Sequence, residues 1–294
     1  MKYYRFVVTA CILLVTTVQV SWSCNFDKIK NSIPTYSTEV KGQYADLNGI
    51  RLYYEINGSG EPLILLHGGF FNMDYWSKQV QVFSQHYQVI TVDGRGHGRS
   101  TDGTAPITHA AMALDILALM NLLNINKASI VGWSDGAVIA LNMCILAPER
   151  INKIVLNGAN THFKKTVPYL EETMVASRIL FYPYATMLYS PSYKAINPYP
   201  SHWSEFFNKM QTMWTSDCYL INRDGQTCED PLKSITNSAL VIVGEDEMIL
   251  ESHTREIKDA LPNSTLIIIP GGSHYLAREK PDEFGQAVLS FLEE

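Results

Sequence analysis

The chain has 294 residues, of which 46% are hydrophobic and 18% charged, with a formal net charge of -6. That composition supports one large buried core and excludes a disordered chain. The acidic balance, with no dense Lys/Arg run, removes any electrostatic reason to bind nucleic acid or an anionic membrane.

The first residues, Met1-Lys2-Tyr3-Tyr4-Arg5, are basic, and an almost wholly apolar run from Phe6 to Val20 leads into the small polar stretch Ser21-Trp22-Ser23. This is the pattern of a secretory signal peptide, predicted over residues 1–23, and the run falls short of the ~20 apolar residues that a membrane span needs. Cleavage near Ser23 makes Cys24 the first mature residue, the place of an acylated lipoprotein cysteine, yet Ser21-Trp22-Ser23 fits a lipobox poorly. A secreted or periplasmic protein without a lipid anchor is therefore the preferred reading. Residues 24–43 read as an N-terminal extension.

Tyr44 to Leu47 and Ile50 to Ile56 alternate apolar and polar residues across Asn48-Gly49, which predicts an antiparallel hairpin. A continuous apolar run, Pro62 to Leu66, follows, then a helical pattern around Tyr75 to Gln85, the run Val89 to Val92, and a helix from Thr108 to Leu123. The rhythm continues through Ala128 to Val131, Ile154 to Leu156, Leu240 to Val243 and Leu266 to Ile269, closing with a helix from Asp282 to Leu292. Apolar strands alternating with helices predict an α/β protein with a mostly parallel sheet covered by helices on both faces. The core is assigned to residues 44–159 and 232–294.

Between 160 and 231 the strand rhythm stops and Tyr, Trp, Phe, Met and Pro accumulate, which predicts a helical lid inserted over the carboxyl ends of the strands. Its aromatics, among them Tyr182, Tyr184, Tyr189, Tyr193, Trp203, Phe206, Phe207 and Trp214, either line a substrate cavity or hold the lid helices together, and the second is the simpler reading for any one of them. Cys218 and Cys228 flank the turn-forming stretch Asn222-Arg223-Asp224-Gly225 and could close it with a disulfide in an oxidising compartment. Cys144 reads as a packed small hydrophobe. No Cys or His cluster has metal-ligand spacing, and no metal or cofactor is implied.

The most informative residues are Gly132-Trp133-Ser134-Asp135-Gly136, a G-x-S-x-G turn fed by an apolar strand and followed by a helical pattern from Asp135 to Ala147. In that setting the serine is forced out over the strand end and the helix N-terminus faces any oxyanion beside it. Serine needs a base, and the base needs an orienting partner. His274, in Pro270-Gly271-Gly272-Ser273-His274 after a buried strand, is the candidate base; His86, His109, His162 and His253 lie in helical or polar stretches with no such setting. The acid is sought in Gly244-Glu245-Asp246-Glu247-Met248-Ile249, where three carboxylates compete.

Hairpin, His67-Gly68 loop, elbow, lid, acid loop and histidine loop arrive in an order that resembles the α/β-hydrolase superfamily, from about Tyr44 to the end of the chain. The resemblance implies the α/β-hydrolase fold and a serine hydrolase needing no cofactor. In relatives the acid stands three residues after the loop glycine, which here is Glu247; because relatives more often have Asp, Asp246 remains the second choice, and Glu245 reads as solvated. The same resemblance puts the oxyanion hole at the backbone N–H groups of Gly69, in His67-Gly68-Gly69-Phe70, and of Asp135, with His67 a structural hydrogen-bonder. Asp93-Gly94-Arg95-Gly96-His97-Gly98-Arg99-Ser100 lacks the ending of a phosphate-binding loop and reads as a structural turn.

The expected catalytic set is thus Ser134, Glu247 and His274 with Gly69 and Asp135 as oxyanion donors, acting on a small-molecule carboxylic ester. Ser134 argues against dehalogenases and epoxide hydrolases of similar fold, which use aspartate. The elbow and Leu156-Asn157-Gly158-Ala159-Asn160 resemble the valacyclovir hydrolase-like branch, which acts on amino-acid esters, so the Asp135 side chain either favours its own helix dipole or accepts a substrate ammonium. An aminopeptidase of the proline iminopeptidase kind, with Glu171, Glu172 or Glu205 holding an α-ammonium, is the alternative enzyme. A non-catalytic ligand-binding protein of the same fold is the alternative of another class.

Overall fold

In the computed structural model, which describes residues 41–163, 173, 175–221 and 231–294, the first strands β1 (Gln43–Leu47) and β2 (Ile50–Asn57) pair antiparallel. Asn48 and Gly49 between them both take positive φ, 49° and 76°, the two-residue turn whose twist suits a hairpin. The signal segment, Cys24, Glu171, Glu172 and Cys228 lie outside the described residues.

After β3 (Pro62–Leu66) a short 3-10 turn, Met73–Trp76, leads into α1 (Ser77–Phe83), then β4 (Gln88–Asp93) and α2 (His109–Leu122). Thr108 starts α2 by accepting the Ala111 N–H at 3.0 Å through its hydroxyl. Next come β5 (Ala128–Trp133), α3 (Asp135–Leu146) and β6 (Ile151–Asn157). α3 is buried almost along its whole length, which is why its sequence is apolar all round rather than on one stripe.

The segment between β6 and β7 contributes α4 (Arg178–Ile196) and α5 (Trp203–Trp214), after which the sheet resumes with β7 (Ser238–Asp246), α6 (Glu251–Ala260), β8 (Ser264–Ser273) and the helices α7 (Leu276–Glu279) and α8 (Pro281–Glu293). The eight strands run in the order β1-β2-β4-β3-β5-β6-β7-β8, antiparallel from β1 through β4 and parallel from β4 onward, with helices around the sheet. The chain order reverses between β3 and β5. Ligands in open α/β sheets bind at the carboxyl ends of strands flanking such a reversal, here the loop after Leu66 and the turn at Ser134.

β7 and β8 run further than their apolar cores suggest. Their pairing shifts register between Gly244 and Asp246, Asp246 faces Ser273, and the Gly271 N–H donates to Glu245 Oε2 at 3.0 Å. Glu245 therefore does more than sit in solvent: it pins the irregular end of β8 that delivers His274. The stretch after β4 is structural, because Arg95 forms a buried ion pair with Asp115 at 2.7 Å and Arg99 meets Asp93 and Asp74. Its guanidinium groups are engaged by protein carboxylates, which hold the turn against α2 and the sheet.

Candidate active site

Ser134 sits at φ 54° and ψ -120°, a conformation a side chain resists, between the end of β5 and the start of α3. Neighbouring glycines make this possible. A side chain on Gly132 would run into the Gly136 carbonyl, and one on Gly136 into the Leu66 carbonyl, so only hydrogen lets the turn close against β3. The turn is fixed from β6 as well: the Ser134 N–H donates to the Asn157 carbonyl at 2.8 Å, and Asn157 donates through Nδ2 to the Ile242 carbonyl at 3.1 Å.

His274 follows directly on β8, and the Trp133 indole N–H holds its carbonyl at 2.6 Å. The residue before the elbow serine thus anchors the histidine's backbone. His274 Nδ1 lies 2.5 Å from Glu247 Oε1, with both side chains almost wholly buried. The same oxygen accepts the N–H groups of Met248 at 2.8 Å and Ile249 at 3.2 Å, which turns the carboxylate toward the imidazole. Pairing Nδ1–H with a carboxylate leaves Nε2 as the basic nitrogen. Asp246, the other candidate acid, is exposed and faces Ser273. Among the described residues no hydrogen bond joins the Ser134 hydroxyl to the imidazole. Such contacts often tighten only when substrate binds.

Gly158, at φ 62°, completes this corner. A Cβ there would lie 2.8 Å from two imidazole atoms and 3.1 Å from Glu247 Oε2. Sequence reasoning gave Gly158 no place in the site, since nothing local announces which side chains crowd it.

On the other side of Ser134 the loop after β3 comes close, for a Cβ on Gly68 would lie 3.0 Å from the Ser134 Cβ. His67 is buried, accepts the Gly94 N–H at 2.9 Å through Nε2 and pairs its Nδ1 with the Gly68 carbonyl at 2.8 Å. Burial pushes its pKa down to about 4, so it is a neutral brace for the loop. Gly69 stands against Asp135, with a would-be Cβ 2.5 Å from Asp135 Oδ2.

The Asp135 side chain stands in the first turn of α3, yet among the described residues no hydrogen bond ties it to the backbone of that helix. It reaches to two other helices instead: His109 Nε2, at the first turn of α2, lies 3.0 Å from Oδ1, and the Trp214 indole N–H, at the end of α5, lies 2.8 Å from Oδ2 and 3.0 Å from Oδ1. Burial would raise this carboxyl, but the contacts with His109 and Trp214 outweigh it and hold the group below the ordinary carboxylate range. Sequence reasoning set His109 aside as an ordinary helical residue and missed the role of Trp214, because neither carries a local signal for a distant partner.

The aromatics of the β6–β7 segment pack rather than stand apart. Phe70, at φ 62°, is surrounded by Phe181, Tyr189, Trp203, Phe206, Phe207 and Trp214 at ring-centre distances from 4.7 to 6.1 Å. Cys218 is disulfide-bonded, and Cys144 is a free, buried thiol. The described residues hold no group of three or more His, Cys, Asp or Glu suited to a metal ion, and no described helix is long and apolar enough to cross a membrane.

A family model described as alpha/beta hydrolase fold matches residues 61–281. "Putative carbamate hydrolase RutD" of Caulobacter sp. (strain K31) is 30% identical over 258 residues, covering 82% of this chain and 95% of that protein. "Serine hydrolase BPHL" of Homo sapiens is 26% identical over 267 residues, 88% of each chain. The solved structure of a meta-cleavage product hydrolase from Pseudomonas fluorescens IP01 aligns with a TM-score of 0.69 at 22% identity over 86% of this chain and 97% of that one.

Proposed function

The chain belongs to the alpha/beta hydrolase fold family, and from that premise we propose that it is an exported serine hydrolase cleaving small carboxylic esters through an acyl-enzyme. The observation that carries the reading is the 2.5 Å pairing of His274 Nδ1 with Glu247, delivered to the sheet end where Ser134 is held in a strained elbow.

Ser134 Oγ attacks the ester carbonyl carbon while its proton passes to His274 Nε2. The electron pair of the C=O bond moves onto oxygen, where the N–H groups of Gly69 and Asp135 receive it. Glu247 fixes the tautomer and stabilises the imidazolium that forms. The tetrahedral intermediate collapses, breaking the C–O bond, and His274 returns the proton to the departing alkoxide as the alcohol leaves. Water, losing its proton to His274, then attacks the acyl carbon, and as the second intermediate collapses the bond from the acyl carbon to Ser134 Oγ breaks while His274 returns the proton to Oγ, releasing the acid and restoring Ser134. No cofactor enters these steps.

A plain ester is favoured over an amino-acid ester because the Asp135 carboxylate already accepts from Trp214 and meets His109, so a substrate ammonium would have to displace protein donors. An aminopeptidase reading gains nothing from Glu205, whose side chain is exposed and pairs with Lys209 at 3.3 Å. The test compares initial rates on two matched p-nitrophenyl esters, with and without a free α-amino group, against a Ser134→Ala blank. Faster turnover of the plain ester is expected; preference for the amino ester would overturn the substrate reading, and equal rates with Ser134→Ala the hydrolase reading. Export predicts that the protein recovered outside the cytoplasm begins near Cys24, which N-terminal sequencing checks.

A further inference from the structure

Trp214 touches both halves of the proposed oxyanion hole. Its indole N–H is shared between the two carboxylate oxygens of Asp135, at 2.8 and 3.0 Å, and its six-membered ring occupies the space that a side chain on Gly69 would take. The residue's position is itself fixed: it ends α5, its ring meets Phe70 edge-on at 4.7 Å, and the Tyr219 hydroxyl donates to its carbonyl. Tyr219 in turn lies 4.8 Å from the His109 ring, so the second partner of Asp135 belongs to the same cluster.

This arrangement answers an electrostatic difficulty. The N–H of Asp135 is one donor to the oxyanion, yet the same residue carries a buried carboxylate beside Gly69, which supplies the other. An uncompensated negative charge so close to a developing oxyanion opposes the transition state more than the neutral ground state, and the low-dielectric surroundings amplify it. Two partners compensate that charge, His109 Nε2 from α2 at Oδ1 and the Trp214 indole N–H from the β6–β7 segment at Oδ2, the oxygen beside Gly69. Packing alone would place an indole against Phe70 without aiming its only polar atom at the carboxylate.

We infer that Trp214 is a positioning residue for the oxyanion hole, its indole N–H holding and shielding the Asp135 carboxylate so that the Asp135 and Gly69 amides receive the charge of the transition state. The inference rests on the hydrolase reading above and assigns a role in turnover to the β6–β7 segment.

The test uses the full-length protein and a p-nitrophenyl ester. Trp214→Phe keeps a ring against Phe70 and deletes the donor; kcat is expected to fall about tenfold, less than the loss of a direct oxyanion donor, with KM within about twofold. The rate of fluorophosphonate labelling at Ser134 falls by a similar factor. In an Asp135→Asn background, where the charge is gone, the same change at Trp214 costs less than about twofold, whereas a role in packing alone would cost the same in both backgrounds. Replacing Trp214 with β-(3-benzothienyl)alanine, which keeps the bicyclic shape and lacks the N–H, must reproduce the fall in kcat and covers the case in which Trp214→Phe fails to fold. An unchanged kcat, a rise in KM alone, or equal losses in the two backgrounds overturns the inference. Failure of the unmodified protein to label would instead remove the hydrolase reading, and the inference with it.

Discussion

Glu247 and Asp246 are adjacent carboxylates with opposite surroundings, and the difference yields a sharp expectation. Glu247 is buried against His274, whereas Asp246 is exposed. Glu247→Gln keeps the shape but no longer fixes the base's tautomer or stabilises its cation, so kcat should drop by about 10³ to 10⁴; Asp246→Asn should change it by less than about threefold. Steady-state rates on one ester decide, and equal losses would count against Glu247. Gly158→Ala should cost kcat as well, because the added methyl meets the imidazole and the backbone there has φ 62°. A stability loss of about 1–3 kcal/mol in urea unfolding is expected alongside. The pairing of His274 with Glu247 was anticipated only through the family resemblance, which places the acid three residues after Gly244; the residues by themselves left Glu245, Asp246 and Glu247 competing. Gly158, His109 and Trp214 were not anticipated, because their partners come from elements far away in the chain, and a single sequence carries no record of which distant surfaces meet.

Among the elements, the strands were legible because burial on both faces demands continuous apolar runs and a hairpin demands its turn residues. What escaped was set by pairing across the sheet. Gly244 to Asp246 and Pro270 to Ser273 read as loops by composition, yet they extend β7 and β8 through a register shift that Glu245 and Gly271 secure. The turn after β4 shows a similar dependence on distant partners. Arg95 ties this turn to α2 through Asp115, and Asn48 Nδ2 adds a bond to the same carboxylate at 3.0 Å, so β1, β4 and α2 meet at one buried charge. Arg95→Met should leave Asp115 without its counter-ion and destabilise the protein by about 3–5 kcal/mol, measured by urea denaturation. A loss below about 1 kcal/mol would show that the pair is dispensable.

At the scale of the whole molecule, two buried neutral histidines behind the Gly69 loop couple folding to pH. Burial pushes His67 down to about 4 and, with the neighbouring His67 charge opposing it, His97 down to about 3. Unfolding releases both to the ordinary value near 6.5, so between about pH 6.5 and 4 the unfolded chain binds more protons than the folded one and stability rises with pH. Stability is complete above that window and is lost as pH falls through it, by about 3 kcal/mol at pH 4 for His67 alone. Urea midpoints measured from pH 8 to 4 should fall steadily below about 6.5; a flat profile would mean that these rings are not buried and neutral.

The account as a whole stands on Ser134 being a nucleophile activated by His274. Fluorophosphonate labelling followed by mass spectrometry tests this most directly, because the probe forms a bond only where a hydroxyl is made nucleophilic. A single adduct on the peptide that contains Ser134, absent in Ser134→Ala and strongly slowed in His274→Ala, is the expected result. No adduct on the folded protein, or an adduct that survives Ser134→Ala, would contradict it.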